Sequence, residues 1–493
     1  MSLPEYRLFI GGEWVDAGSG ATFETVDPAT GAPWARVPEA AEADVDAAVR
    51  AARAALADPA WADLTPAGRG RLLHRLADIL RRDAEELAVL ESTDNGKLLR
   101  ETRAQCLAIA DHIDYFAGAA DKIEGSVIPS GKPNFLVYTQ HVPIGVVGML
   151  LPWNSPLFLT MFKLAPALAA GCTVVIKPSE ATPVTALELG RRIAEAGFPA
   201  GVVNVVTGSG PAPGQALTAH PGVDKISFTG STRTGIAVAK SALDHLAPTD
   251  LELGGKSANI VFADADLEAA ANGVVAGIFA ATGQTCIAGS RLVVHEDVRE
   301  PLLERLVARA RTIKLGDPKD PATEMGPIAT EAQHAKIAAM VGEAVDGGAR
   351  VLVGAGQGVT LPEQGRFAAP TILVDVAPEA TIAQEEVFGP VLVVQPFRDE
   401  DEAVALANGT AYGLAAGLWT SDVRRAHRVA ARVRAGTVWV NSYRVLSYAV
   451  PFGGFGLSGI GRENGFEAIR SFTETKSIWV ELTGATRDPF VLG

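Results

Sequence analysis

Apolar and polar positions change period several times along the chain. From Leu72 to Leu90, in LLHRLADILRRDAEELAVL, residues Leu73, Leu76, Leu80, Leu87 and Leu90 fall close to one helical face, so this spacing predicts a helix. IGVVGMLLPWN (144–154) is an apolar strand running into a loop, and TVVIKPSE (Thr173–Glu180) is a buried strand ending in Lys, Pro and acid. VVNVVTGSG (Val202–Gly210) and KISFTGST (Lys225–Thr232) repeat the pattern of strand followed by glycine turn. Helical patterns fill the gaps at Thr185–Ala196 and Gly235–Leu246. Strand, turn and helix in succession predict a doubly wound parallel sheet, whose ligands sit beyond the carboxyl ends of the strands. Those ends carry Asn154, Lys177, Glu180, Gly208 and Ser231, which would line one crevice if the strands are neighbours. A second α/β stretch runs from about Gly254 to Val440, with RLVVHE, the helix EPLLERLVARARTI and the strand TVWVN (Thr437–Asn441). Near the end, SIWVELTG (Ser477–Gly484) alternates like an edge strand, open to another subunit or simply lying on the surface.

Length multiplies this pattern: 493 residues correspond to roughly two to four structural units. No internal repeat or low-complexity linker divides them. A hydrophobic content of 48% against 20% charged residues marks an ordered globular chain. The net charge of −14 argues against nucleic acid as a partner, since phosphate binding needs a basic surface. The start, MSLPEYRLFIGGEW, lacks the basic and apolar runs of a signal peptide. Ile144–Leu151 and Leu164–Ile176 are too short or too broken to span a bilayer. Cys106, Cys172 and Cys286 are scattered, with no metal-ligand spacing, so no metal site is expected. A reduced, cytoplasmic protein without membrane attachment is the expectation.

Several short segments carry candidate chemistry, each beside a plainer alternative. GSGPAPG (Gly208–Gly214) is a weak phosphate signal, because glycines at strand ends are usually turns. In FTGSTRTG (Phe228–Gly235) a strand ends in Gly-Ser just where a helix begins, which suits pyrophosphate; an ordinary Ser N-cap is the alternative. In KPSE, Lys177 and Glu180 suit ribose hydroxyls, and the carboxylate would repel a ribose phosphate; a solvated pair is the alternative. Glu252 in LELGGKS stands between leucines, where burial would raise its pKa toward that of a general base; the alternative is a surface Glu before a turn. Cys286 in GQTCIAG has small neighbours that admit a ligand, whereas an isolated cysteine is more often an inert core residue. Cys106 and Cys172 fit that inert class. Glu386 and Phe388 in EEVFGPV offer a ribose acceptor and a ring beside a cofactor, or a strand-to-turn junction with Phe388 in the core.

Together these segments resemble the NAD(P)-dependent aldehyde dehydrogenase superfamily over nearly the whole chain. The resemblance is carried by ESTDNGK (91–97), PWNSP (152–156), KPSE (177–180), FTGS (228–231), LELGGKS (251–257), GQTCIAGSR (283–291), EEVFGPV (385–391) and PFGGFGLSGIGREN (451–464). It implies an α/β fold: a Rossmann-type cofactor domain over 1–122 and 143–253, an α/β catalytic domain over 254–441, and a small β oligomerisation arm over 123–142 and 471–493. Residues 442–470 would return to the cofactor domain and the active-site mouth. Cys286 is then the nucleophile, Glu252 the general base, and Asn154 the side-chain oxyanion donor beside the Cys286 backbone N–H. Trp153, Lys177, Glu180, Gly210, Phe228, Gly230, Ser231, Leu253, Glu386 and Phe388 would contact the cofactor, NAD in preference to NADP. Leu159, Phe162, Thr285, Ile287, Arg444 and Phe452 would line the substrate pocket, closed by the loop Ser442–Val450. Lys163 matches a lysine near the active site with no assigned role. Arg444 has two readings: a partner for a substrate carboxylate, implying a semialdehyde, or a structural arginine on backbone carbonyls, the favoured one. Ile287 and the absence of a large polar residue near Gly456 depart from many relatives. The implied activity is oxidation of a small-molecule aldehyde to its acid by a homodimer or homotetramer. The alternatives are acyl transfer to coenzyme A, a catalytically silent structural relative, and a Cys-His hydrolase; Glu252 argues against the first, and the intact set of reactive residues against the second.

Overall fold

The computed structural model describes residues 3–484 and 490. Its centre is an eight-stranded sheet in which five strands run parallel: Thr249–Glu252, Lys225–Thr229, Val146–Leu150, Thr173–Lys177 and Val203–Val205, in that spatial order. All five are almost wholly buried, which explains why Val146–Leu150 and Thr173–Lys177 read as near-continuous apolar runs rather than alternating ones. The chain steps outward from Val146–Leu150 to Val203–Val205, then crosses back for Lys225–Thr229 and Thr249–Glu252. The strand order therefore reverses at Val146–Leu150, where a doubly wound sheet opens a crevice. Antiparallel strands close both edges: Leu8–Ile10 and Glu13–Val15 on one side, Gly459–Ile460 on the other.

A second eight-stranded sheet is built from Ala258–Val261 onward. Its mainly parallel strands include Arg291–His295, Val391–Phe397, Ala415–Trp419 and, at one edge, Thr437–Val440. The architecture is α/β with two sheet-centred halves. Outside both sheets, Phe135–Pro143 pairs antiparallel with Thr473–Glu481 over nine residues. This C-terminal strand begins and ends earlier than the Ser477–Gly484 expected from alternation. Its pairing partner lies in the same chain, and Trp479, Val480 and Leu482 remain exposed on it and just beyond it. Residues 485–489 and 491–493 of the expected arm lie outside the described residues.

Two helix expectations need correction. The pattern over Leu72–Leu90 is divided between Pro66–Arg82 and Ala84–Asn95. Asp83 leaves helical geometry at the junction, where its carboxylate meets Arg82 at 2.6 Å and Arg192 at 3.0 Å. The apolar stripe continues across the break because both helices face one core: Leu73, Leu76, Leu80 and Leu87 are buried in it. The helix expected over Gly235–Leu246 spans Thr232–Leu243. Ser231 caps its start, accepting from Thr234 N at 3.2 Å, and Leu246 has turned to φ +59°. Cys106 and Cys172 are buried in the core of the first half, and burial pushes their thiol pKa values up. Among the described residues no helix is long and apolar enough to cross a membrane.

Candidate active site

The carboxyl ends of the parallel strands open onto a cavity of about 710 Å³. Lys177, Glu180, Gly210, Phe228, Gly230 and Ser231 line it. Lys177 Nζ lies 3.8 Å from a Glu180 carboxylate oxygen, and burial lowers the lysine pKa against the pull of that carboxylate. Ser231 caps its helix and also faces the cavity, so both of its readings hold at once. Gly208 does not reach the crevice: its Cα packs against Pro213, so closely that a Cβ would fall 2.7 Å from that ring.

A narrower cavity of about 130 Å³ adjoins the first, sharing Trp153, Gly230 and Ser231 with it. Asn154, Glu252, Leu253, Cys286, Glu386 and Phe388 meet here. The Gly-Gly pair of LELGGKS explains how residues so distant in sequence converge. A Cβ on Gly254 would come within 2.4 Å of the Glu386 carboxylate, and one on Gly255 within 2.7 Å of the Cys286 carbonyl. Glu386 is held by the Gly255 N–H at 3.0 Å, and its pKa rises to about 7 through burial. The rings of Trp153 and Phe388 stand edge to face, 5.2 Å apart.

Glu252 ends its strand almost fully buried, and one carboxylate oxygen has no hydrogen-bond partner. Burial raises its pKa well above the usual range; buried Glu463 pushes the same way, and the Lys163 and Arg462 charges oppose it. Lys163 is fully buried and ion-paired with Glu463, which gives it a position behind the base. The approach of PFGG depends on Gly453, whose Cβ would sit 2.7 Å from a Glu252 oxygen.

Ahead of Cys286 the backbone makes an unusual turn. Ala281, Thr282 and Gly283 are consecutively left-handed, at φ +51°, +56° and +67°. Such strain persists where surrounding contacts over-determine it. Here Ala281 N donates to Glu101, Thr282 Oγ1 to the Gly326 carbonyl, and Gln284 spans the Pro327 carbonyl and the Ala329 N–H. Asn154 Nδ2 donates to the Gln284 carbonyl at 3.0 Å, which brings this amide beside the cysteine. Burial pushes the Cys286 thiol up to about 12, and the Glu386 and Glu252 charges act in the same direction.

Beyond Cys286 a third cavity of about 280 Å³ opens, sharing Asn154, Leu159 and Cys286 with the second. Phe162, Thr285, Ile287, Arg444 and Phe452 line it. The loop over 442–450 reaches it through Arg444 and Leu446. Arg444 Nη1 donates to the carbonyls of Ala276 and Ala280, at 3.2 and 2.9 Å. No histidine among the described residues lines any of the three cavities, so a Cys-His pair has no support.

Apart from Gly208, the residues predicted for catalysis, cofactor or substrate lie on this chain of cavities. The sequence reading missed Gln333, Lys336, Lys97, Gln105 and Phe158, which share the walls. Gln333 and Lys336 sit in the first two turns of Glu331–Asp346 and bond the backbone of the Glu386–Phe388 segment. Their sequence surroundings read as an ordinary exposed helix. Lys97 was within reach, since it ends the ESTDNGK segment.

A cysteine between a large crevice at the strand ends and a second cavity suits an enzyme that brings a substrate and a nucleotide cofactor to one thiol. The aldehyde dehydrogenase family model matches residues 14–478, and the chain belongs to that family. Its members carry out NAD(P)-dependent aldehyde oxidation. One relative is the (Z)-2-((N-methylformamido)methylene)-5-hydroxybutyrolactone dehydrogenase of Acinetobacter baylyi, 47% identical over 99% of this chain and 100% of that one. Another is the NADP/NAD-dependent aldehyde dehydrogenase PuuC of Escherichia coli, 44% identical over 97% of this chain and 96% of its own. The NAD+ complex of a Bacillus cereus aldehyde dehydrogenase superposes with a TM-score of 0.95, at 45% identity and 97% coverage of both chains.

Proposed function

We propose that this protein oxidises an aldehyde to the carboxylic acid with NAD, through a thiohemiacetal and then a thioester on Cys286, hydrolysed with Glu252 as general base. The observation that carries this is the shared wall: Cys286 and Asn154 face both the nucleotide-side cavity and the one beyond, with Glu252 on the nucleotide side. The aldehyde enters from the third cavity, and the Cys286 thiolate attacks its carbonyl carbon. Asn154 Nδ2 and the Cys286 backbone N–H donate to the oxygen that becomes an alkoxide; one such donor lowers the barrier by about 3–4 kcal/mol. When bound, the nicotinamide supplies the hydride acceptor and a positive charge beside the thiol. Glu252 then takes a proton from water as it attacks the thioester, releasing the acid and the free thiol. A buried carboxylate with an unbonded oxygen and a raised pKa fits that duty.

NAD is assigned over NADP from Glu180, whose carboxylate at the rim of the large cavity would repel a 2′-phosphate. The Bacillus cereus relative binds NAD+, and the name of PuuC gives both cofactors, so Glu180 is the support specific to this chain. Lys177 and Glu180 are assigned to the adenosine ribose, Gly230 and Ser231 to the pyrophosphate, and Glu386 and Phe388 to the nicotinamide end. The division into a cofactor domain over 1–122 and 143–253 and a catalytic domain over 254–441 is likewise proposed, and the pairing of Gly459–Ile460 with the first sheet supports the return of 442–470 to it. A cytoplasmic homodimer or homotetramer is proposed, joined through the two-stranded arm whose apolar side chains stand exposed. Product analysis separates hydrolysis from acyl transfer: free acid formed without coenzyme A is the expected result, and product that requires coenzyme A contradicts it.

A further inference from the structure

The cavity beyond Cys286 carries two cationic side chains and no acidic one: Lys97 and Arg444 line its wall. Glu91 and Glu101, the acids whose charges act on Lys97, lie outside that wall. Glu101 is turned to the Ala281 N–H, and Glu91 to the Leu157 N–H. Neither cation makes an ion pair with a carboxylate among the described residues; their bonds run to Ser155, Gln105 and backbone carbonyls. Arg444 is fixed through Nη1, and among the described residues Nε and Nη2 have no hydrogen-bond partner. Two parallel N–H groups on a planar fork are what a carboxylate accepts in bidentate fashion. Lys97 Nζ uses two of its three donors, on Ser155 and Gln105.

Glu101 acts on both cations and Glu91 on Lys97, but neither acid is in direct ion-pair contact with them, so the cavity side of Arg444 and Lys97 is open to a ligand anion. Much of the remaining wall is apolar, formed by Phe158, Leu159, Phe162, Ile287 and Phe452. The cavity, about 280 Å³, is at the small end for ligand sites, which fits a short substrate. We propose that the substrate is a short semialdehyde, an aldehyde whose other end is a carboxylate. Arg444 holds that carboxylate with Lys97 beside it while the aldehyde carbon meets Cys286. The proposal rests on the aldehyde-oxidising function above and names its substrate class; the anchoring of Arg444 on backbone carbonyls becomes the means of aiming its free edge.

The test is NADH formation from matched pairs: succinic semialdehyde and 4-carboxybenzaldehyde, each against its own methyl ester. In the wild-type protein kcat/KM is expected to favour the acid by about tenfold or more, the size of one charge-assisted hydrogen bond. In Arg444→Met the acid-to-ester ratio should fall by about the same factor, and Arg444→Lys should restore part of it. Equal use of acid and ester by the wild type, or a ratio unchanged in Arg444→Met, overturns the proposal while leaving aldehyde oxidation intact. Failure of every aldehyde, charged or neutral, to reduce NAD overturns both.

Discussion

The nucleotide-side crevice and the cavity beyond Cys286, joined by a narrow passage, are built on different principles. The nucleotide-side crevice arises where strand order reverses in one parallel sheet, and its walls are strand ends and the helices Ala212–Thr218 and Thr232–Leu243. The cavity beyond the cysteine draws on four separated pieces: the helices Leu99–Ala119 and Pro156–Ala170, the turn before Cys286, and the loop over 442–450. The first is a consequence of topology, with side chains such as Glu180 at its rim adding only a finer selection. The second depends on individual side chains, and so it is where substrate choice resides. Cys286 and Asn154 join the substrate cavity to the narrow passage beside the crevice, and removing either should disable chemistry without emptying the nucleotide side.

Cys286→Ala is expected to give the largest effect, lowering NADH formation on the order of 10⁴-fold or more while NAD still binds. Quenching of tryptophan fluorescence on NAD addition checks the second half; loss of NAD binding along with activity would mean the two sides are not separable. Asn154→Ala should lower kcat/KM by about 10²–10³-fold, with NAD affinity little changed. pH gives a smaller handle on the same junction. The base must be deprotonated to act, and burial holds the Glu252 proton to higher pH; the Cys286 thiol, pushed up to about 12, likewise ionises more as pH rises. Steady-state rates should therefore climb, by about tenfold or more, from about pH 6 to about pH 9; a flat or falling profile contradicts the buried environment of both groups. The smallest effect belongs to the crevice alone: Glu180→Gln should improve kcat/KM with NADP about tenfold or less while leaving the ranking of aldehydes unchanged.

The same contrast explains what the sequence revealed. Strand-end residues such as Lys177, Glu180 and Ser231 were legible because a short apolar run, a turn and a helix cap fix their position locally. Cys286 and Glu252 were legible only as a set: alone, each was more plausibly inert, and their convergence depends on Gly254 and Gly255 leaving space for Glu386 and the Cys286 backbone. Gly208 misled, because a glycine at a strand end need not face the ligand, and here it packs on Pro213. The helix break at Asp83 was hidden, since an ion pair with Arg192 from another helix stabilises it while the leucine stripe runs on unaltered. Gln333, Lys336 and Gln105 had no local signal, because only tertiary packing brings their helices to the site. Lys163 was flagged without a role, and its buried pair with Glu463, three hundred residues later, is a contact no sequence period encodes.

The central claim is that Cys286 carries the acyl group and Glu252 directs water to release it. Intact-mass spectrometry of Glu252→Gln after mixing with aldehyde and NAD tests it most directly. The expected result is a stable mass increase equal to the acyl group, located on Cys286, with about one NADH formed per active site and slow turnover thereafter. Steady turnover at the wild-type rate with no adduct, or an adduct on another residue, would contradict the account.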